Sequence, residues 1–184
     1  MRFHSQTVYT LTPSPLGPIT LAASPAGLCG IWFEDQQHRP DMALWRTEPD
    51  HPVLKKVHTL LSGFFAHSDV KKLSQLHLPF DLQLGSSFQQ SVWQALQKIP
   101  AGTTCSYAEL AQAIGKPRAV RAVGSAIGRN PISILIPCHR VIGSRGNLTG
   151  YAGGLWRKEA LLKLEASGSQ KIVKQALFDQ ALAA

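Results

Sequence analysis

The sequence has no long hydrophobic run, few cysteines and, over its second half, few acidic residues. Apolar runs such as residues 134–136 are far shorter than the roughly 20 residues that a membrane-spanning helix needs. The first six residues lack the apolar stretch of a signal peptide. We therefore expect no membrane partner and a protein that stays in the cytoplasm, where it is made.

Cysteine is scarce, and its spacing excludes two common uses. The chain has three cysteines, Cys29, Cys105 and Cys138, separated by long gaps. An odd, widely spaced set predicts neither a disulfide framework nor a paired-cysteine zinc site. Six of the seven histidines lie before residue 84, but they lack the spacing of metal ligands. No feature indicates a nucleotide requirement either, so we expect no cofactor.

Acidic residues are scarce only in residues 85–184. Residues 1–84 balance seven Lys/Arg against seven Asp/Glu, whereas residues 85–184 carry twelve bases and four acids, which accounts for the net charge of +8. A basic surface of this kind attracts a polyanion such as nucleic acid. The alternative is a basic surface without a specific partner.

Hydrophobic patterning predicts an α+β fold in two parts. Residues 1–84 are interpreted as a small amino-terminal supporting domain and residues 85–166 as a mostly helical domain. Residues 167–184 follow a Ser-Gly-Ser break and are predicted to be a partly helical carboxy-terminal tail.

The first part shows the pattern of a sheet covered by a helix. Strand-like stretches at residues 18–23 and 28–33 flank a turn, which predicts a small antiparallel sheet. Residues 34–52 are predicted to be an exposed loop. Apolar residues then recur at helical spacing from Leu54 to Phe65, so a helix should cover one face of the sheet. We see no chemistry in this part and assign it a supporting role.

The second part contains the pattern of a helix-turn-helix. After a first helix that ends at Pro100, residues 106–109 have the form of a capping box. The apolar stripe that follows stops at residues 115–117, and a second short helix is predicted over residues 118–128. Two short helices joined by a Gly-containing turn are typical of this motif.

The outer face of the second helix combines one long cation with very small side chains. Arg121, Gly124, Ser125 and Gly128 fall on one face at helical spacing. Such a face suits close approach to a nucleic-acid backbone, with Arg121 entering a groove. The alternative is tight packing against another helix, with Arg121 pointing to solvent.

A cysteine stands at the end of an apolar stretch. Residues 132–136 are interpreted as a buried strand or extended segment that Pro137 ends, which delivers Cys138, His139 and Arg140. Attack needs an ionised sulfur, and a neighbouring histidine lowers a thiol pKa. Adjacent side chains in an extended segment point to opposite sides, so a turn or a bridging water would have to connect the two. A buried structural cysteine is the alternative.

Glu165 is a candidate third member of this group. It lies on an apolar helix face with Leu161 and Leu162, where a carboxylate is costly to bury without a partner. Glu165 would orient His139, which would activate Cys138 through water. Alternatively, Glu165 is solvated or pairs with Lys158.

Five motifs resemble, in order and spacing across residues 86–166, those of the O6-alkylguanine-DNA alkyltransferases. They are Thr-Thr-Cys-Ser-Tyr-Ala-Glu-Leu-Ala at 103–111, Arg-Ala-Val-Arg-Ala-Val-Gly at 118–124, Asn-Pro at 130–131, Ile-Pro-Cys-His-Arg-Val-Ile at 136–142 and Gly-Tyr-Ala-Gly-Gly-Leu at 150–155. The first part resembles the family's variable amino-terminal domain only in its size and its Pro-Leu-Gly-Pro opening.

The resemblance implies a suicide DNA repair protein with a winged helix-turn-helix-like domain that everts a damaged base. Cys138 would be the nucleophile and alkyl acceptor, and His139 and Glu165 would activate it through water. Arg121 would fill the gap in the base stack from the minor groove. Tyr107 would turn the nucleotide outward and donate a proton to the leaving guanine.

The resemblance also implies supporting residues around the pocket. Gly124 and Ser125 would contact DNA with Arg121 and Tyr107. Asn130 would hold the turn before the active-site segment, and Tyr151 and Lys158 would line the pocket. The remaining pocket or structural positions are Val141 and Ala152. Many relatives have serine at position 152, so any hydroxyl contact to the guanine oxygen is lost here, whereas a backbone N–H contact would remain.

The partner implied by the resemblance is double-stranded DNA that carries O6-alkylguanine or O4-alkylthymine. A monomer would bind it, and whether binding is cooperative is left open.

Three other interpretations remain at this point. A helix-turn-helix regulator would show operator preference and no thiol loss, and a cysteine hydrolase would turn over repeatedly. A binding-only relative would lack the reactive cysteine, which this chain has at Cys138.

Overall fold

The computed structural model describes residues 1–67 and 78–167, and it folds them into a sheet-based part and a helical part. The predicted helical tail, apart from its first residue, lies outside the described residues. Within the described ranges, no helix is both long enough and apolar enough to cross a membrane.

The amino-terminal part is built on a four-stranded sheet. Its strands are β1 (Val8–Thr12), β2 (Ile19–Ser24), β3 (Gly27–Phe33) and β4 (Arg46–Thr47), in the order β3-β2-β1-β4. The β2–β3 pair is antiparallel, as predicted; the β1–β2 pair is antiparallel too, whereas β1 and β4 are parallel. Every residue of β2 and β3 is buried, which places these strands in the core.

Two strands depart from the prediction. β1 is a third long strand that the pattern analysis did not include, and β4 lies inside the segment 34–52 that was predicted to be an exposed loop. Arg46 and Thr47 are exposed but pair with Val8 and Tyr9 through their backbones. A pairing this short depends on backbone hydrogen bonds alone, so it leaves no hydrophobic periodicity in the sequence.

Helix α1 (Pro52–His67) covers the sheet, which confirms the predicted helix. It begins with proline at its first position, where the missing N–H costs no hydrogen bond. Leu54, Val57 and Leu61 are buried, and the helix contacts β1, β2 and β3.

The helical part contains four α-helices and a small two-stranded sheet within the described residues. The elements are α2 (Ser87–Leu96), β5 (Cys105–Ser106), α3 (Tyr107–Ala113), α4 (Val120–Gly128), β6 (Val141–Ile142) and α5 (Leu155–Ser167). The capping box at the start of α3 is present, because Ser106 accepts from the Glu109 amide while Glu109 accepts from the Ser106 amide. Helix α4 begins two residues later than predicted, and it packs against α2 and α3.

Residues 132–136 are buried, as expected, apart from the half-buried Leu135, but they do not form a strand. Ile132 makes one isolated bridge with Ile31, and Ile134 adopts a positive φ of 72°. The chain turns back on itself, so that the Ile136 amide donates to the Ile132 carbonyl at 2.9 Å. The side chain of Asn130 donates to the Ile136 carbonyl at 2.8 Å and accepts from the Ile132 amide at 3.1 Å. The buried backbone groups here are therefore satisfied partly by the Asn130 side chain and partly by Ile31 of β3.

Candidate active site

Cys138 lies at the start of a single 3-10 turn, Cys138–Arg140, and is 5% exposed. The Asn130 side-chain amide donates to Cys138 Sγ at 3.1 Å. Burial raises the pKa of the thiol, although Asn130 and the positive charge of Lys158 oppose that effect. Desolvation outweighs the stabilising contacts, so the buried site holds the thiol pKa above its usual value and does not by itself favour the ionised sulfur that attack needs.

His139 is fully buried and held by Glu165. Its Nε2 lies 2.9 Å from Glu165 Oε1, while Nδ1 has no hydrogen-bond partner among the described residues. Burial lowers the pKa of His139, although the Glu165 carboxylate raises it. The imidazole is therefore neutral near pH 7, donating through Nε2 and leaving the lone pair of Nδ1 available as a base.

Glu165 is neither solvated nor paired with Lys158, the two alternatives left open by the sequence. Its side chain is fully buried and receives Arg140 in a bidentate pair, with Nε–Oε2 at 2.9 Å and Nη2–Oε1 at 2.7 Å. The Gly102 amide donates to Oε2 at 3.3 Å. Burial alone would raise the pKa of Glu165, but the hydrogen bonds from His139 and Arg140 prevail and lower it to about 2.

Arg140 was missing from the predicted site. It is 7% exposed, and its Nη1 donates to the Ile99 carbonyl while its other nitrogens hold Glu165. The sequence did contain a signal for this role. Arg140 is a cation directly after His139, and Glu165 was already the predicted partner of His139. A buried carboxylate needs such a partner, because burial without one costs several kcal/mol.

Lys158 and Val141 support the site from behind. The Lys158 ammonium donates to the Val141 carbonyl at 2.5 Å and to the Thr149 carbonyl at 2.8 Å. Burial lowers the pKa of Lys158 to about 8. Lys158 is not among the residues that line the cleft; its ammonium fastens the chain that forms the cleft wall.

A cleft of about 360 Å³ opens beside Cys138, a volume within the range of small-molecule sites. Its walls come from α3, α4, the segment after β6 and the amino-terminal part. The lining residues are Gln37, Tyr107, Gly124, Ile127, Gly128, Cys138, Thr149, Gly150, Tyr151 and Ala152. The structure thus gathers the predicted Tyr107, Gly124, Tyr151 and Ala152 around the thiol.

The two tyrosines of the cleft differ in their hydroxyl contacts. The Tyr107 hydroxyl donates to the Thr149 carbonyl at 3.2 Å. The buried hydroxyl of Tyr151 has no partner of good geometry in the described part of the chain, and burial raises the Tyr151 pKa well above its usual value. Tyr151 is therefore neutral and able to hydrogen-bond to a ligand.

The predicted outer face of α4 opens to solvent on one side of the cleft. Arg121 and Ser125 are exposed, whereas Val123, Ala126 and Ile127 are buried. Gly124 lies against Tyr107, since a side-chain carbon at Gly124 would be 3.7 Å from that ring. Helix α3 packs against this face at Gly124, through Tyr107, whereas Arg121 and Ser125 stay exposed to solvent.

Residues 1–67 and 78–167 hold no group of three or more His, Cys, Asp and Glu side chains that could bind a metal ion. The chemistry available at the cleft is that of a thiol, a neutral imidazole base and two phenols.

Two family models divide the chain between them. Residues 7–82 match the ribonuclease-like domain of 6-O-methylguanine DNA methyltransferase, and residues 87–167 match its DNA binding domain. The methylated-DNA–protein-cysteine methyltransferase of Mycobacterium tuberculosis is 45% identical over 159 residues, which cover 86% of this chain and 92% of that protein. The chain belongs to the methylated-DNA–protein-cysteine methyltransferase family. An archaeal member of this family, from Methanosarcina barkeri, is 48% identical over 160 residues, covering 85% of this chain and 96% of that protein.

A crystal structure from the family has the same fold. The Mycobacterium tuberculosis OGT in complex with DNA superposes with a TM-score of 0.81 at 42% identity, covering 94% of this chain and 99% of that one. Both the sheet-based part and the helical part therefore belong to the methyltransferase fold, which agrees with the predicted α+β class and with the family that the motifs of residues 86–166 resemble.

Proposed function

We propose that this chain repairs DNA by direct reversal, moving an alkyl group from the O6 of guanine, and from the O4 of thymine, to Cys138. The observation that carries the proposal is the position of Cys138 in the wall of a cleft, with the His139–Glu165–Arg140 group behind it. The relative crystallised with DNA supports double-stranded DNA as the partner.

The position of Cys138 requires that the base leave the duplex. The thiol is 5% exposed at the wall of the cleft, where a stacked base cannot reach it. Eversion costs a few kcal/mol and is easiest for a badly paired base. Arg121 is exposed on α4 and fills the gap in the stack, while Gly124 and Ser125 let the backbone approach. Tyr107, beside Gly124, helps to rotate the nucleotide.

The thiol loses its proton during the reaction. Because Cys138 is protonated at rest, its proton passes through a bridging water to Nδ1 of His139. The Glu165 carboxylate, held by Arg140, stabilises the imidazolium that forms. Asn130 orients the sulfur from 3.1 Å.

Transfer replaces a carbon–oxygen bond with a carbon–sulfur bond. The sulfur attacks the alkyl carbon, the C–O6 bond breaks, and its electron pair stays on the guanine. Tyr107 donates a proton to the leaving base, and the proton that His139 accepted from Cys138 returns through water to the Tyr107 phenolate. Ala152 has no hydroxyl, so its backbone N–H is the group that binds O6.

The product is a thioether, which water does not cleave under mild conditions, so each molecule repairs one lesion. We further infer that the protein acts as a monomer in the cytoplasm. A reducing compartment suits a chain whose three cysteines are free thiols and whose function needs one of them.

Stoichiometry tests the proposal. A duplex with one labelled O6-methylguanine, in excess, should saturate the protein at one label per molecule. Cys138→Ser should accept none, whereas Cys105→Ser, a half-buried thiol in β5, should transfer normally. Continued turnover would point to a hydrolase, and binding without label transfer would point to a DNA-binding regulator.

A further inference from the structure

The amino-terminal part contributes one side chain to the cleft. Gln37, which lies four residues beyond the end of β3, is exposed and lines the cleft together with Cys138 and Ala152. Its side-chain amide makes no hydrogen bond to residues in the described ranges. Nothing in the sequence pattern of residues 1–84 pointed to a contribution of this kind.

The backbone around Gln37 is fastened to both walls of the cleft. The Gln37 amide donates to the Ala152 carbonyl at 2.9 Å. The buried side chain of Gln36 accepts from the Ser133 hydroxyl at 3.0 Å, and Ser133 in turn donates its amide to the Ile31 carbonyl at 3.0 Å. Ser133 belongs to the turn that leads to Cys138, so the segment before Gln37 is attached to the nucleophile's own support.

Arg157 provides a third attachment. Its Nη1 bridges the Asp35 carboxylate at 2.6 Å and the Gly153 carbonyl at 2.8 Å, and its Nε donates to the Leu16 carbonyl at 2.7 Å. The guanidinium also stacks 4.6 Å from the Phe33 ring centroid. The chain on either side of the Gln37–Ala152 hydrogen bond is therefore held in place, whereas the exposed Gln37 side chain has no hydrogen bond to residues in the described ranges.

We propose that Gln37 is a specificity-determining residue that limits the size of the alkyl group transferred to Cys138. This inference rests on the proposed function, because it concerns the end of the cleft where the alkyl carbon must meet the sulfur. Tyr151 and Ala152 line the cleft together with Cys138, and the Gln37 backbone amide donates to the Ala152 carbonyl. A methyl group fits beside the Gln37 side chain. A larger alkyl group must displace that side chain, so its transfer to Cys138 is slower.

Rates of transfer from two substrates test the inference. Single-turnover rate constants would be measured on one duplex carrying either O6-methylguanine or O6-benzylguanine at the same position. Gln37→Ala should raise the benzyl-to-methyl rate ratio about tenfold, because a few atoms in a pocket change discrimination by roughly that factor or more. Gln37→Phe should lower the ratio, because a larger side chain leaves less room for the benzyl group.

Two controls separate size from other effects. Gln37→Glu keeps the shape of the side chain, so the ratio should stay within twofold of the parent. Glu34→Ala alters an exposed residue of the same segment that does not line the cleft, and it should leave the ratio unchanged. If Gln37→Ala transfers methyl groups normally and its benzyl-to-methyl rate ratio equals that of the parent, the inference about Gln37 is overturned and the proposed function is not. Absence of methyl transfer in the parent chain would overturn the proposed function instead.

Discussion

Replacing Arg140 with methionine should destabilise the protein strongly, because it leaves the Glu165 carboxylate buried with too few partners. The change removes both hydrogen bonds of the bidentate pair and the bond to the Ile99 carbonyl. The side chains of Glu165 and Arg140 are 0% and 9% exposed, so water cannot take the place of the guanidinium. Removing one partner of a buried pair costs about 3–5 kcal/mol.

This cost should be visible in thermal and urea unfolding. For a chain of this size, 1 kcal/mol corresponds to a change in Tm of about 2–4 °C, so Arg140→Met should lower Tm by about 6–20 °C. Arg46→Met is a matched control, since Arg46 pairs with Glu48 at 3.3 Å but is 82% exposed. An exposed pair of this kind contributes about 0–1 kcal/mol.

A double variant isolates the cause. Arg140→Met combined with Glu165→Gln should be more stable than Arg140→Met alone, because the uncompensated charge is gone. If Arg140→Met shifts Tm no more than Arg46→Met does, the carboxylate is not held as a buried ion and the account of the site's electrostatics is wrong.

Three further outcomes follow from the site. The pKa of Glu165 is lowered from 4.5 to about 2, so the ionised carboxylate stabilises the folded protein fully above pH 4.5, and this contribution is lost as the pH falls to 2. Over this range the urea midpoint of Glu165→Gln should therefore drop less than that of the parent protein. Arg121→Ala should slow methyl transfer by more than tenfold while Kd for DNA changes much less, and equal losses in both would contradict its role in eversion. The free energy of unfolding of methylated protein should be about 1–3 kcal/mol lower than that of unmodified protein, because the methyl group crowds a buried sulfur 3.1 Å from the Asn130 amide. Equal Tm values for the two forms would refute this.

Local signals in the sequence predicted the helices around the site. The capping box of Ser106 and Glu109 involves residues three apart, and its hydrogen bonds are present at the start of α3. The buried positions of α4 follow the apolar periodicity that marked them. Such features depend only on neighbours along the chain, so their prediction does not require the fold.

The strand prediction over residues 132–136 shows how a local signal misleads. Its branched apolar residues favour an extended chain. Asn130 instead bonds the Ile132 and Ile136 backbones and closes a turn. Burial was predicted correctly, because hydrophobicity alone determines it, but the backbone path depends on one amide side chain.

The partners of Glu165 and the cleft wall at Gln37 depend on tertiary structure. Arg140 is separated from Glu165 by 25 positions, and the nearer Lys158 was the obvious alternative in sequence. Lys158 is engaged by the Val141 and Thr149 carbonyls instead. Gln37 lies in a different part of the molecule from Cys138, and no periodicity relates the two residues.

The central claim is that Cys138 receives the alkyl group. Protein incubated with a duplex containing O6-methylguanine would be digested and its three cysteine-containing regions sequenced by tandem mass spectrometry. The account predicts a methyl group on the peptide containing Cys138, in proportion to the guanine restored in the DNA. Restored guanine with Cys138 unmodified, or a methyl group on Cys105, would contradict it.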